Sequence, residues 1–247
     1  MENNLKRIMT AALPIAALVV ALSAREAHAQ SNPWSVSFDL GAQVALSGDV
    51  HDGGSGTVLG LPTQVEARSY GDVYGTGFYW AAGLGYRVGE AGEIRVQGSY
   101  TSNPAERLQV GTVAGLPLFA LFDDYKAFGL DFGYRQYLGT AMVRPYVGAS
   151  GGFVRLDTIQ SEFSVPAAGV VLSNVNMYDS SVVLSVGGSG GVQINLSDRF
   201  AVQGGVEFKW QDDATDLDGL AGTGLESIND ASQRWSMPIT GGITVRF

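Results

Sequence analysis

The sequence contains no cysteine and only two histidines among its 247 residues. The absence of cysteine excludes disulfide bonds, thiolate metal sites and thiol nucleophiles. Basic residues are also scarce, because 15 Lys and Arg stand against 24 Asp and Glu, for a formal net charge of −9. This balance argues against a nucleic-acid partner, whose phosphates call for a basic footprint. Long apolar runs are missing beyond residue 24, so any membrane crossing by the rest of the chain must use strands.

The N-terminus carries the one long uncharged run, Ile8–Ala24, after two basic residues and before Ala27-His28-Ala29. A charged start, an apolar stretch and a small-x-small sequence predict a cleavable signal peptide over residues 1–29. A single membrane-spanning helix is the alternative, but Pro14 interrupts the run and its length is barely sufficient. The mature chain is then residues 30–247, which suits one barrel domain.

The mature chain is dominated by segments in which apolar and polar residues alternate. Strict alternation predicts strands whose two faces meet different media. The eight segments are Trp34–Ser47, Phe78–Val88, Glu93–Ser102, Phe128–Arg135, Arg144–Arg155, Val182–Leu196, Arg199–Gln211 and Trp235–Phe247. Aromatic residues near strand ends would supply two interfacial girdles: Trp34, Phe78, Trp80, Tyr100, Tyr134, Trp210, Trp235 and Phe247.

The connections between these segments alternate in length: long, short, long, short, long, short, long. All long connections therefore fall at one end of the structure and all short ones at the other. This asymmetry predicts an all-β fold, an eight-stranded antiparallel transmembrane β-barrel with long extracellular loops and short periplasmic turns. A soluble lipocalin-like barrel is the alternative, and it would hold its apolar residues inside.

The last residues, Ile243–Phe247, look like the ending of Gram-negative outer-membrane proteins, where a final Phe closes an alternating strand. The whole mature chain resembles the small outer-membrane β-barrel proteins of the OmpA/OmpX and opacity-protein type, within the porin family. The resemblance implies contact with outer-membrane lipid and lipopolysaccharide at the cell surface. It also implies folding by the outer-membrane assembly machinery, for which Phe247 would be the C-terminal signal. Because the chain ends with the barrel, we do not expect the peptidoglycan anchoring of OmpA itself.

The inward face of the predicted strands carries charges of both signs. They are Asp39, Arg95, Asp131, Arg135, Glu207 and Lys209. An eight-stranded barrel is just wide enough inside for side chains to fill, and buried charges need partners. We therefore predict a lumen ion-pair network that holds the barrel together, with a narrow ion path as the alternative. Specifically, we expect Asp131 to contact Arg95 or Arg135 directly and Asp39 to join them.

Catalytic chemistry is not expected. A lipid A-modifying hydrolase would need a serine activated by a histidine. The one histidine of the mature chain, His51, lies in the first long connection beside Asp49 and Asp52, a pattern typical of a solvated surface residue. The sequence thus predicts no enzyme and no cofactor.

An acidic stretch in the fourth long connection invites a calcium interpretation. It contains Asp212, Asp213, Asp216, Asp218 and Gly219. Aligning this glycine with that of a calcium-binding loop puts Ala214 and Leu225 at its first and last ligand positions. Neither can supply a side-chain oxygen, so no metal site is predicted, and an irregular divalent site stays open.

The long connections also contain apolar runs, notably Val58–Pro62 and Gly115–Phe122. Such runs mark contact sites, or they pack together as hairpins that extend beyond the membrane. We therefore expect a structural and surface-interaction role, in envelope integrity, adhesion or ligand contact with an extracellular partner. A narrow channel for ions or small solutes is the alternative, and a lipid A-modifying enzyme is less favoured.

Overall fold

The computed structural model describes residues 33–139, 142–217, 219–230 and 232–247. The predicted signal peptide over residues 1–29 lies outside this part of the chain. The strands of the first half are β1 (Trp34–Ser47), β2 (Asp49–His51), β3 (Gly54–Val58), β4 (Leu61–Val65), β5 (Arg68–Ser69), β6 (Gly77–Val88), β7 (Gly92–Asn103) and β8 (Leu108–Val113). Those of the second half are β9 (Leu116–Phe122), β10 (Tyr125–Tyr137), β11 (Val143–Leu156), β12 (Ile159–Val165), β13 (Val170–Tyr178), β14 (Ser181–Asn195), β15 (Phe200–Gln211) and β16 (Arg234–Arg246).

Eight of these strands form a closed antiparallel barrel in the order β1-β16-β15-β14-β11-β10-β7-β6. Each strand pairs with the barrel strands before and after it in the chain, and β1 pairs with β16 from Ser35↔Arg246 to Ser47↔Trp235. The predicted eight-stranded barrel is confirmed. The fourth barrel strand, β10, covers Tyr125–Tyr137 and is therefore longer than the predicted segment Phe128–Arg135. The alternation of inward and outward side chains continues past both predicted ends.

The outer surface of the barrel is apolar and the inner surface is polar. On β10, Phe128, Leu130 and Phe132 are 52%, 44% and 56% exposed, whereas Asp131 between them is 5% exposed. A soluble protein does not leave so large a contiguous apolar surface in water. The strand faces agree with the predicted alternation, and the soluble lipocalin-like alternative is wrong because the apolar side chains point outward.

The four long connections are not simple loops. Three of them contribute hairpins, β3–β4, β8–β9 and β12–β13, which join in a six-stranded sheet of order β13-β12-β9-β8-β4-β3. A smaller sheet pairs β2 with β5, and a one-turn helix, α1 (Tyr70–Val73), follows. We call the described parts of 48–76, 104–124, 157–180 and 212–233 the extracellular assembly. The apolar runs were interpreted either as contact sites or as hairpins that pack together, and the structure contains the packed hairpins.

Two hairpins turn through pairs of left-handed residues. Leu59 and Gly60 have φ values of 53° and 77°, and Ala114 and Gly115 have 48° and 80°. Two consecutive positive φ values define the type I′ turn, whose twist matches that of paired strands. Asparagine, aspartate or glycine is usual at both positions, so Leu59 and Ala114 adopt a backbone that is unfavourable for them.

The hydrophobic core lies in the extracellular assembly and at its junction with the barrel, not along the lumen. Val50, Val110 and Met177 are completely buried there. The core also includes inward residues at the extracellular ends of barrel strands, such as Ala127 and Val154. None of the helices among the described residues is long and apolar enough to cross a membrane.

Candidate functional sites in the lumen and the extracellular assembly

One buried ion pair lies in the upper part of the lumen. Lys209 Nζ donates to Asp131 Oδ2 at 2.6 Å, and Ser185 Oγ donates to Asp131 Oδ1 at 3.1 Å. Both charged residues are at most 5% exposed. The two donors satisfy the carboxylate on both oxygens, which a buried charge requires.

The predicted contact of Asp131 with Arg95 or Arg135 is wrong. Asp131 is level with Gly152 on β11 and, through it, with Ser185 on β14. Because these two side chains are small, the long side chain of Lys209 reaches Asp131 past them. The prediction sought the direct partner of Asp131 on β10 itself and on the adjacent β7, whereas a narrow lumen lets Asp131 meet Lys209 on β15, three strands away.

A second group of contacts joins three of the other predicted residues lower in the lumen. Arg95 Nη2 lies 3.8 Å from Asp39 Oδ2 and donates to Ser37 Oγ at 2.8 Å. Gln203 bridges the rest: its Nε2 donates to Asp39 Oδ1 at 2.5 Å, and its Oε1 accepts from Arg135 Nη1 at 2.9 Å. Asp39, Arg95 and Arg135 are therefore brought together, but through an amide that was not among the candidates.

Glu207, the sixth candidate, accepts a hydrogen bond from Ser150 Oγ at 2.7 Å. Sequence reasoning missed another lumen carboxylate, Glu93, which accepts from Ser35 Oγ and Tyr137 OH, each at 2.7 Å. Glu93 is two residues before Arg95, so the alternation alone places it on the inward face. It was overlooked because it lies at the first position of the predicted strand.

Aromatic and cationic side chains close the lumen at both ends. The extracellular closure, which we call the mouth plug, consists of Tyr70, Tyr74, Tyr125 and Arg234. The Arg234 guanidinium carbon lies 3.7 Å from the Tyr125 ring centroid and 5.0 Å from that of Tyr70. Burial raises the pKa of the Tyr70 phenol, so this ring stays neutral beside the cation.

The periplasmic end is closed in the same manner. Arg135 stacks on Tyr146 at 3.8 Å, and Arg144 stacks on Tyr137 at 4.3 Å. Between the two closures lies a cavity of about 70 Å³, lined by polar residues that include Asp39, Gln97 and Glu207. At roughly 30 Å³ per molecule, this space suits about two waters.

A much larger cavity, of about 350 Å³, lies in the extracellular assembly. One wall is the six-stranded sheet, which contributes Val65, Leu118 and Leu172 among others. The opposite wall is the fourth connection, through Leu220 and Leu225. Among the described residues, the lining contains no charged side chain. Its composition suits an uncharged, aliphatic guest.

The hairpin turns form the edge of this cavity. We call Leu59, Leu61, Ala114, Leu116 and Val170 the apolar rim, since all five line the cavity. Leu59 is 73% exposed, and the other three large side chains are 39–47% exposed. The rim thus places the two left-handed residues Leu59 and Ala114 beside the cavity.

The fourth connection is held against the edge strand of the sheet by backbone hydrogen bonds. Thr57 N donates to Thr223 O at 2.6 Å, and Asp52 N donates to Ile228 O at 2.6 Å. Gly56 allows this approach, because a Cβ there would overlap the Thr223 carbonyl oxygen. The cavity wall is therefore attached along β3 and does not simply rest on the sheet.

His51 is 1% exposed, so the expectation of a solvated surface residue is wrong. Its ring stacks on Phe122 with centroids 5.9 Å apart, and its Nδ1 lies 3.1 Å from the Asp52 carbonyl oxygen. Burial lowers the pKa of His51 below its usual 6.5. The histidine belongs to the core of the extracellular assembly, whose inward packing the flanking aspartates concealed in the sequence.

The acidic stretch of the fourth connection does not form a cluster in the part of the chain that the structure describes. Within it, no three carboxylate or imidazole groups lie close enough to hold a metal ion, and Asp218 falls outside it. Asp213 instead accepts from Ser232 N and Gln233 Nε2, at 2.7 and 3.1 Å.

Phe247 follows β16, and its N–H donates to the Trp34 carbonyl oxygen at 3.1 Å.

A closed eight-stranded barrel with an apolar exterior, a polar interior and long connections at one end defines a small outer-membrane β-barrel protein. No known family model matches the chain, and no curated protein matches it. Among solved structures, Neisserial surface protein A is similar at 15% identity and a TM-score of 0.49, covering 87% of this chain and 97% of that one. OprG from Pseudomonas aeruginosa is similar at 11% identity and a TM-score of 0.43, covering 87% and 98%. The class therefore rests on this protein's own fold.

Proposed function

We propose that this outer-membrane protein is a surface-interaction protein without enzymatic activity. The barrel anchors the protein in the membrane, and the extracellular assembly makes the contacts at the cell surface. The observation that carries the proposal is the apolar rim: an exposed leucine stands in a left-handed turn position where polar residues are usual. A backbone outlier of this kind motivates a functional hypothesis at its position.

The lumen supports an anchoring role better than a channel. Its central cavity of about 70 Å³ is bounded by stacked aromatic and cationic side chains at both ends. The Lys209–Asp131 pair and the bridge through Gln203 tie strands to one another across this space. Wide diffusion pores use more strands.

Cell attachment to alkyl-coated beads tests the proposal. Cells that express the wild-type chain should attach more than cells that express Leu59→Asp, because the substitution places a charge on the rim. Aspartate tolerates the left-handed turn better than leucine, so the hairpin should remain intact. Hydroxyl-coated beads and the variant Lys126→Ala, at an exposed position away from the rim, are the controls.

Equal attachment of the two cell populations to the alkyl-coated beads would contradict the proposal. Conductance of the purified protein in planar bilayers addresses the channel alternative. We expect no stable opening, and large sustained openings would favour the channel.

A further inference from the structure

We propose that the cavity of the extracellular assembly binds the alkyl chain of a molecule that arrives from the aqueous side. The proposal rests on the proposed function only in assigning a binding role to the extracellular assembly. It adds the chemical class of the ligand and the site that takes it.

The volume of the cavity is the first argument. At about 350 Å³ it exceeds by roughly twofold the engineered apolar cavities of ~150 Å³ that stay dry and bind benzene. Protein interiors are otherwise close-packed, with few voids larger than a water molecule. A space of this size also falls within the usual range of ligand pockets, roughly 300–1,000 Å³.

The lining is the second argument. In the part of the chain that the structure describes, it is built from Val, Leu, Ile and Ala side chains with one aromatic residue, Phe163, and its polar side chains are hydroxyls such as Thr63 and Thr223. An apolar lining cannot hold waters, which need two to four polar partners each. Because the described lining residues offer no charged group and no side-chain amide, they suit hydrocarbon and not a polar head group.

The location of the lining is the third argument, and it decides the source of the ligand. Every described residue of the lining belongs to the extracellular assembly, and none of them lies on the lipid-facing surface of the barrel. The cavity extends along β4 from Leu61 to Val65, roughly 13 Å at about 3.3 Å per residue. Its exposed end is the apolar rim, which includes Leu59 at 73% exposure. A chain that enters past the rim comes from the medium.

The strand β13 offers a matched pair of variants. Leu172 lines the cavity, whereas its neighbour Val171 does not line it and is 57% exposed. Leu172→Trp should fill the cavity, and Val171→Trp adds the same ring on the other face of the strand. Leu220→Trp fills the cavity from the opposite wall, so a folding defect of one hairpin cannot account for both results.

The experiment is calorimetric titration of the protein in lipid nanodiscs with a series of primary alcohols from hexanol to dodecanol. Partitioning into lipid is the same for all variants, so the difference between them reports the cavity. For the wild type we expect affinity to rise about fourfold per added methylene, the value of 0.8 kcal/mol per buried CH₂, until the cavity is full. Leu172→Trp and Leu220→Trp should each lose at least tenfold in decanol affinity, while Val171→Trp should match the wild type. Heat-dependent mobility in detergent gels checks that every variant retains the barrel.

Equal decanol binding by the wild type and both cavity-filling variants would overturn the proposal, and so would an equal loss in Val171→Trp. Repeating the titration in lipid-free amphipol separates the two sources of an alkyl chain. Binding in amphipol but not in nanodiscs would mean that a lipid chain from the bilayer occupies the cavity, and would overturn the aqueous source. The bead test compares Leu59→Asp with the wild type, whereas the titration compares Leu172→Trp and Leu220→Trp with it. Equal bead attachment with intact decanol binding would overturn the proposed function alone, and equal decanol binding with reduced attachment of Leu59→Asp would overturn alkyl binding alone.

Discussion

Removing the positive charge from the Lys209–Asp131 pair of the lumen should destabilise the barrel strongly. Lys209 Nζ is 2.6 Å from Asp131 Oδ2, and the two residues are 4% and 5% exposed. Replacing Lys209 by Met keeps most of the length of the side chain and removes its charge. Among the described residues, the Asp131 carboxylate then retains only the hydrogen bond from Ser185.

The magnitude follows from the cost of an unpaired buried charge. Breaking a buried pair by removing one partner typically costs about 3–5 kcal/mol. For a chain of this size, each kcal/mol shifts the unfolding temperature by roughly 2–4 °C. We therefore expect Lys209→Met to lower the transition by at least about 6 °C.

A double-mutant cycle separates the pair from its surroundings. Asp131→Asn alone should also destabilise, because it leaves the Lys209 ammonium without a counter-charge. The double variant should cost less than the sum of the single variants by about 1–3 kcal/mol, since it leaves no stranded charge. The measurement is reversible urea unfolding in lipid vesicles, followed by tryptophan fluorescence.

Glu207→Gln is the control, because Glu207 accepts from Ser150 and forms no ion pair within the described part of the chain. It should cost about 1 kcal/mol, the value of one hydrogen bond. Additive effects of Lys209→Met and Asp131→Asn would refute the reasoning, because they would mean that the two side chains do not interact in the membrane. A cost for Glu207→Gln as large as that for Lys209→Met would refute it as well.

Three further predictions concern the extracellular assembly and the mouth plug. Because burial lowers the pKa of His51 in the folded chain, the neutral imidazole should contribute its full stabilisation above pH 6.5 and less as the pH falls below that value. His51→Gln should therefore reduce the pH dependence of the urea unfolding midpoint between about pH 7 and 5. Arg234→Ala should cost roughly 2 kcal/mol by removing the stacking on Tyr125, whereas Arg234→Met should cost less because it fills the space without a charge; thermal unfolding compares the two. Gly56→Val should push the Thr223 carbonyl oxygen away from Thr57 N, detach the fourth connection from β3 and make that connection sensitive to limited proteolysis, while the barrel keeps its heat-dependent gel mobility.

The sequence could predict the barrel because alternation and connection length are local signals. In a strand such as Phe200–Gln211, the alternation of residue types indicates which side chains point outward and which point into the lumen. The order of long and short connections indicates which end of the barrel is extracellular. The pairing inside the lumen was not predictable in the same way. The partner of Asp131 depends on which side chains between it and Lys209 are small, and this follows only from the register of three strand pairs.

The extracellular sheet was predicted only as one of two alternatives, for a different physical reason. Its hairpins are short, and two of them turn at Leu59-Gly60 and Ala114-Gly115 where the usual polar turn residues are missing. Without an Asn-Gly or Asp-Gly signal, the apolar runs around them were compatible with contact sites as well as with hairpins. The buried position of His51 was equally hidden, because the core that surrounds it is assembled from four separate connections.

The arrangement of apolar and polar faces reverses along single strands, and this reversal links the extracellular assembly to the barrel. On β10, the inward residues change from Tyr125 and Ala127, which belong to the hydrophobic core, to Asp131 and Arg135, which belong to the lumen. The same strand therefore enters the core at its extracellular end and the polar network in the membrane. Because Tyr125 also carries the stacked Arg234, the core of the extracellular assembly and the closure of the lumen share side chains. Rearranging the extracellular assembly enough to expose its core would also open the mouth plug. The 350 Å³ cavity is lined by none of the mouth-plug residues. The alkyl chain that we propose as its ligand can therefore enter it without opening the mouth plug.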